Sequence, residues 1–180
     1  SGKIETLTGN VNVDIIDRGE GLREANSTGN FFDQLIVLLT PLLESGSPLA
    51  TKAQLVYGEE LGFDGLVLNE HHQNVYGLMA SPNLIAAALS QRTEKAKIVV
   101  LGSLLPLRKN PLRIAEEYAM IDMMTHGRLI AGFVVGGGSE AFNYNITSVK
   151  ARSQFWEGCD LITRAWTDDG PFEHDGEHYP

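Results

Sequence analysis

Cysteine, long apolar runs and positive charge are all scarce in this sequence. Among the 180 residues there is one cysteine, Cys159, so no disulfide can form within the chain, and a reducing, cytoplasmic setting is expected. The most apolar early stretch, Leu35 to Leu43, falls short of the ~20 residues that a bilayer-spanning helix requires, and no membrane partner is expected. Lys and Arg number 14 against 23 Asp and Glu, a formal charge of −9. An acidic surface of that size repels phosphate backbones, which argues against nucleic acid as a partner. There is no G-x-G-x-x-G run, no P-loop lysine and no C-x-x-C pair, so the common nucleotide and zinc fingerprints are missing. Nor does a Ser-His-Asp order suggest nucleophilic hydrolysis.

What is there is a repeating unit. Residues 1–30 are rich in Gly, Asn, Asp, Glu and Thr and read as an irregular N-terminal segment or loose hairpin, with alternation only from Val11 to Ile16. From residue 31 the texture changes. The run Gln34 to Leu39 is continuously apolar after its first residue, as expected of a strand buried on both faces. Leu49 to Leu61 places Ala53, Val56, Tyr57 and Leu61 on one helical face, with Gly62 as a C-terminal stop.

The unit then recurs. Gly65–Leu68, Ile98–Leu101 and Leu129–Val135 read as strands. Ser81-Pro82 and Asn110-Pro111 pair a capping residue with a proline suited to a first helical turn, so each opens a helix between strands. Gly127 ends the second of these. Phe155, Cys159, Ile162 and Trp166 share one face of a last helix, with Arg152 expected in its first turn. Strand starts near 65, 97 and 129 are roughly 32 residues apart, the length of a strand–helix–strand unit, so a parallel sheet of four βα units is implied. Four such units do not close a barrel of eight: either the sheet is open or the remainder lies outside this chain.

Ligands of parallel α/β proteins sit at the carboxyl ends of strands, which singles out three segments. Asn69-Glu70-His71-His72 follows the second strand and offers a carboxylate and two imidazoles for proton transfer or metal. Adjacent residues at a strand end point in different directions, so the three are not expected to meet at one ion, and no metal is expected. A hydrogen-bonded loop is the plain alternative. Gly102-Ser103 follows the third strand, where small residues let a planar ligand approach the backbone; a tight turn is the alternative. Gly136-Gly137-Gly138 follows the fourth, where glycines permit an anion nest or a mobile loop. Arg152 is a candidate phosphate partner or else a solvated arginine. Tyr76, Phe142 and Tyr144 are candidate pocket aromatics. Glu116, Glu117 and Asp122 are expected to be solvated or paired with Arg113 and Arg128.

Together these segments resemble the bacterial luciferase-like, flavin-dependent monooxygenase family. The matching stretches are Glu59-Glu60-Leu61-Gly62-Phe63-Asp64-Gly65, Glu70-His71-His72, Ser81-Pro82-Asn83-Leu84 and Gln91-Arg92-Thr93. After them come Asn110-Pro111-Leu112-Arg113-Ile114-Ala115-Glu116-Glu117-Tyr118-Ala119-Met120-Ile121-Asp122, His126-Gly127-Arg128, Ala165-Trp166-Thr167 and Gly170-Pro171-Phe172. The order holds from about residue 35 to the end. The resemblance implies that residues 31–180 are the N-terminal half of a TIM-type (β/α)8 barrel. It also implies reduced FMN, supplied by a flavin reductase, working with O2 on a small organic substrate. Some relatives use the deazaflavin F420 instead, for hydride transfer; a half-barrel that binds flavin without catalysis is a further alternative. His71 corresponds to the family's catalytic histidine, with Glu70 and His72 holding its site. Gly102-Ser103 corresponds to a non-prolyl cis peptide beneath the flavin ring. Arg152 corresponds to an arginine at the flavin phosphate, with Gly136 and Gly137 beside it. The family's G-x-x-R-G pattern is broken: Val135 occupies the arginine's place. Open sheet edges and an exposed apolar interior lead to the expectation of a homo-oligomer.

Overall fold

In the computed structural model, residues 2–6, 9–13, 37–39, 48–73 and 79–180 are described. Part of the expected first strand, residues 34–36, and Tyr76 lie outside them. The strands are β1 (Gly2–Thr6), β2 (Gly9–Val13), β3 (Val37–Leu39), β4 (Gly65–Leu68), β5 (Lys97–Leu104) and β6 (Leu129–Val134). The helices are α1 (Pro48–Glu60), α2 (Pro82–Ser90), α3 (Pro111–Thr125), α4 (Gly138–Asn143) and α5 (Ser148–Thr167), with a 3-10 turn at Leu105–Leu107.

The six strands form one sheet in the order β1-β2-β6-β5-β4-β3. From β3 to β6 every neighbour is parallel, as crossover helices of this length require. In the N-terminal stretch, β1 and β2 pair antiparallel, and β2 runs parallel beside β6.

Register explains the core. Leu66, Ile98 and Leu129 lie in one row across the sheet, and Leu68, Val100 and Ala131 in the next. All six are buried. Against this face pack Leu55 of α1, Ala86 and Leu89 of α2, Ile114, Tyr118 and Ile121 of α3, and Ile162 and Trp166 of α5. In α3 and α5 those are the apolar stripes expected from the sequence; in α1 they are not, since Leu55 packs inward while Tyr57 and Leu61, expected on the apolar face, are exposed and Leu61 lies beyond the helix end. Cys159 sits in the same core, where burial pushes its thiol up to about 12 and keeps it an inert apolar filler.

Several local features differ from the sequence expectations. Strand β5 runs on to Leu104, beyond Leu101, because a register shift against β6 between Val100 and Ser103 absorbs the irregularity that reads as a turn. Helix α5 starts at Ser148, so Arg152 stands in its second turn rather than its first. Asp122 is buried, not solvated, and its carboxyl lies above the usual range: burial raises it, and the Leu129 amide and Lys97 only partly offset this. Arg128 goes to the carbonyls of Thr93, Ala96 and Thr125 instead of to a carboxylate. Arg113 does meet Glu116 and Glu117, at 3.1 Å each.

The two ends of the sheet have different chemistry. At the amino ends of the strands, Glu59 accepts the backbone amides of Glu94, Lys95 and Ala96 within 2.9 Å, and Lys97 donates to the Gly127 carbonyl. These charge-assisted bonds satisfy loop backbone and hold the units together. The carboxyl ends carry the candidate site.

Candidate functional site

A cavity of about 870 Å³ opens at the carboxyl ends of β4, β5 and β6. Asn69, Glu70 and His71 of the loop after β4 line it, with Leu101, Gly102 and Leu104 of β5 and Phe133 and Val134 of β6. Gly136, Gly137, Ser139 and Glu140 follow β6, and Arg152, Phe155 and Trp156 come from α5. The volume lies within the range of small-molecule sites. Thus the loop after β4, the end of β5, the triglycine bend and Arg152 share one rim.

The two adjacent imidazoles part company, as neighbours leaving a strand must. His72 is buried, with Nε2 2.7 Å from Glu70 Oε1 and Nδ1 2.9 Å from the Tyr144 hydroxyl. Glu70, also buried, receives Arg108 Nη2 at 2.8 Å and the Leu104 amide at 3.3 Å on its other oxygen. One carboxylate therefore ties the loop after β4 to the end of β5. His71 remains on the cavity wall. Its amide donates to the Met79 carbonyl at 2.9 Å, and its Nδ1 lies 3.3 Å from Glu140 Oε1. Glu140 is buried, which works to raise its carboxyl. Its own backbone amide, the Ser139 hydroxyl and His71 outweigh that and hold it below the usual glutamate range.

Gly102 lines the cavity, but its missing side chain answers a different need: a Cβ there would stand 2.9 Å from the Gly132 carbonyl carbon and oxygen. Glycine allows the backbones of β5 and β6 to touch. The cis peptide is the Leu101–Gly102 bond, one bond before the Gly102-Ser103 linkage expected from the sequence. It coincides with the register shift of β5, which leaves the Leu101 side chain at the cavity. Ser103 is fully buried behind the wall, its Oγ 2.6 Å from the Tyr118 hydroxyl. Burial pushes the Tyr118 phenol well above its ordinary value, so this pair is a neutral hydrogen bond.

Gly136 has φ of +91°, and a Cβ on it would overlap Leu104, so the bend needs glycine there for both conformation and space. Val135 is partly exposed on the cavity wall. Of the candidate aromatics, Tyr144 supports His72 from outside the lining, and Phe142 is exposed away from it. Phe155 and Trp156 do line the cavity. The helical pattern of α5 assigns Phe155 to the core, and its edge also reaches the rim. Glu140 and Arg108 are polar residues of the site that local sequence left unassigned, and Tyr144, expected as a pocket aromatic, serves instead through its hydroxyl. Their partners lie 69, 38 and 72 residues away along the chain.

The wall is thus mixed. Leu101, Leu104, Phe133, Phe155 and Trp156 offer apolar surface to a flat ring, while His71, Glu140 and Arg152 offer polar atoms at its edges. A flavin-sized ring system with an anionic tail fits that combination of volume, apolar faces and a cation.

Comparison with known proteins agrees with this geometry. The family model described as luciferase-like monooxygenase matches residues 36–180. The alkanal monooxygenase alpha chain of Photorhabdus laumondii is 32% identical over 123 residues, covering 67% of this chain and 33% of that protein. Among solved structures, the oxygenating constituent of 3,6-diketocamphane monooxygenase from Pseudomonas putida, in complex with FMN, superposes with a TM-score of 0.71 at 21% identity. It is covered over 44% of its length by 81% of this chain. An F420-dependent secondary alcohol dehydrogenase in complex with an F420–acetone adduct gives a TM-score of 0.68 at 19% identity, with 81% and 46% covered. The chain spans about a third of the curated relative and under half of each structure. With its four parallel βα units in the order of the N-terminal half of a (β/α)8 barrel, the chain belongs to the luciferase-like monooxygenase family.

Proposed function

We propose that the protein to which this chain belongs is a flavin-dependent monooxygenase that uses reduced FMN and O2 on a small organic substrate. The observation that carries this reading is the convergence of His71, Gly102, the triglycine bend and Arg152 on one cavity at the carboxyl ends of parallel strands. Bound reduced flavin would supply the two electrons that activate O2.

The chain's own residues do the rest. Leu101, Leu104 and Phe155 would shield a bound ring from water, and Gly102 would offer it the cavity wall that Ser103 and Tyr118 brace from behind. Arg152 attracts the phosphate end, and Gly136 and Gly137 border it. His71 is the general base or hydrogen-bond donor at the reacting edge, and Glu70 and His72 hold its loop. Reduced FMN reaches the site from a separate flavin reductase in the cytoplasm, and the protein works as a homo-oligomer. Hydride transfer with F420 is the second reading. The fold similarity to an F420-dependent dehydrogenase keeps it in view, and Val135 in place of an arginine removes one cation suited to the phosphate of either cofactor.

Titration of the protein with FMN and with F420, followed by flavin fluorescence and by O2 uptake in the presence of a reductase, separates these readings. Monooxygenase function predicts FMN binding and substrate-dependent O2 uptake. His71→Ala lowers turnover about 10²- to 10⁴-fold while flavin still binds. Binding of F420 alone, or of FMN with turnover indifferent to His71→Ala, would overturn the assignment.

A further inference from the structure

The triglycine bend invites reading as an anion cradle, but its middle residue faces a carboxylate. A Cβ on Gly137 would stand 2.8 Å from Glu140 Oε2, whereas one on Gly138 would meet nothing within 4 Å. Glu140 presents its two oxygens to different partners. Oε2 accepts the Ser139 hydroxyl at 2.9 Å, and Oε1 faces His71 Nδ1 at 3.3 Å. The residue is 5% exposed. A buried carboxylate held at two points, with a glycine leaving room for it, is an arrangement that orients a neighbouring imidazole.

We propose that Glu140 is a positioning residue for His71, and that residue 137 is glycine in order to admit the Glu140 carboxylate. An acceptor at Nδ1 keeps the proton of the neutral ring on that nitrogen and makes Nε2 the basic one. It also fixes the ring's rotation, since the backbone is already tied at the Met79 carbonyl. The short helix α4 and its flanking residue thereby serve both imidazoles. Glu140 orients His71, and Tyr144, at the other end of the helix, holds His72. The consequence for turnover rests on the monooxygenase reading; the pairing itself does not.

The two can be tested apart. In protein labelled with 15N-histidine, the His71 ring signals are identified by their loss in His71→Ala. Their two-bond couplings report which nitrogen carries the proton, with no cofactor added. The expected result is a predominantly Nδ1–H ring in the unaltered protein. In Glu140→Ala the signals move toward a mixture of tautomers, and Glu140→Gln, which keeps an acceptor oxygen, restores the original pattern in part. Gly137→Ala is the second variant: the atom it displaces is the free end of a side chain, so the fold is kept while the carboxylate moves. It should reproduce the Glu140→Ala spectrum, and Gly138→Ala should leave the spectrum unchanged. Where activity is measurable, Glu140→Ala lowers kcat with little change in FMN affinity. Spectra of His71 identical in the unaltered, Glu140→Ala and Gly137→Ala proteins would overturn the proposal even in a protein that binds flavin. Spectra that change as expected in a protein without oxygenase activity would sustain the pairing and remove only the catalytic consequence.

Discussion

At the scale of single residues, Glu70 has more depending on it than any other polar group at the rim. Its side chain is fully buried between Arg108, His72 and the Leu104 amide. Truncation to Ala leaves Arg108 without its carboxylate and His72 without its Nε2 partner. Removing one member of a buried pair typically costs 3–5 kcal/mol. The Arg108 side chain is about a quarter exposed and keeps some water, so a loss of about 3 kcal/mol is expected. Urea denaturation of Glu70→Ala checks it, and a loss below about 1 kcal/mol would show that the pair is solvent-screened. The E-H-H run was legible as chemistry because a strand must end beside it. Its members' separate duties were not legible, because they depend on Tyr144, Arg108 and Glu140 arriving from other units. No local pattern distinguishes Glu140 from any acidic residue after a glycine bend. The signal that could have found it is the coincidence of His71 and Glu140 at adjacent carboxyl ends of a parallel sheet.

At the scale of elements, the starts of α2 and α3 were marked by proline-led caps, which behave differently, whereas α4 went unread behind its glycines and α5 begins a turn before the expected start. Asn110 accepts the Leu112 amide at 3.0 Å, while Ser81 makes no capping bond with its side chain. Asn110→Ala should therefore cost about 1 kcal/mol and Ser81→Ala only a few tenths, a contrast measurable by thermal or urea unfolding. The end of α3 was equally legible: His126 and Gly127 both adopt positive φ, as a left-handed stop requires. The end of β5 was not. Gly102-Ser103 has turn-like composition, and only the contact with Gly132 across the sheet shows that the strand continues. The C-terminal segment was also opaque, since side chains of α5 hold it: Ser153 meets His178 at 2.8 Å, Arg164 lies over the Phe172 ring, and Glu157 makes the most bonds. Glu157 accepts the amides of His178 and Tyr179 and pairs with His174 at 3.2 Å. Burial pushes this carboxyl up, but the His174 contact and the two amides bring it below the usual glutamate range. A depressed folded value means that this stability is present above the unfolded value of ~4.3 and is lost as the pH falls through the folded one. Amide exchange at 174–179 should accelerate below about pH 4 in the unaltered protein, and Glu157→Gln should show fast exchange there already at neutral pH. Equal protection in both would mean that the Tyr179 ring, not Glu157, holds the segment.

At the scale of the whole molecule, the constant spacing of strand–helix units made the parallel sheet legible, because each unit's buried strand and apolar helix stripe are written locally. What closes the sheet is not local. Among the described residues β3 pairs only with β4 and β1 only with β2, so the sheet has two terminal strands where a closed barrel has none. The outer helices expose Tyr57, Leu84, Met120 and Met123, and the turn after α1 exposes Leu61. Unpaired strand edges and apolar helix surface both favour association, while a formal charge of −9 on each copy opposes it. The balance is set by range. Apolar and backbone contacts act at van der Waals distance and are insensitive to salt, whereas like-charge repulsion is screened within about 10 Å at 0.1 M ionic strength. The 180-residue chain should therefore sediment as a dimer or larger species at micromolar concentration. The association should strengthen as salt is raised from low to physiological levels, because screening removes only the opposing contribution. Association that weakens with salt would point instead to pairing between opposite charges, and a monomer at every ionic strength would show that the chain covers its own edges.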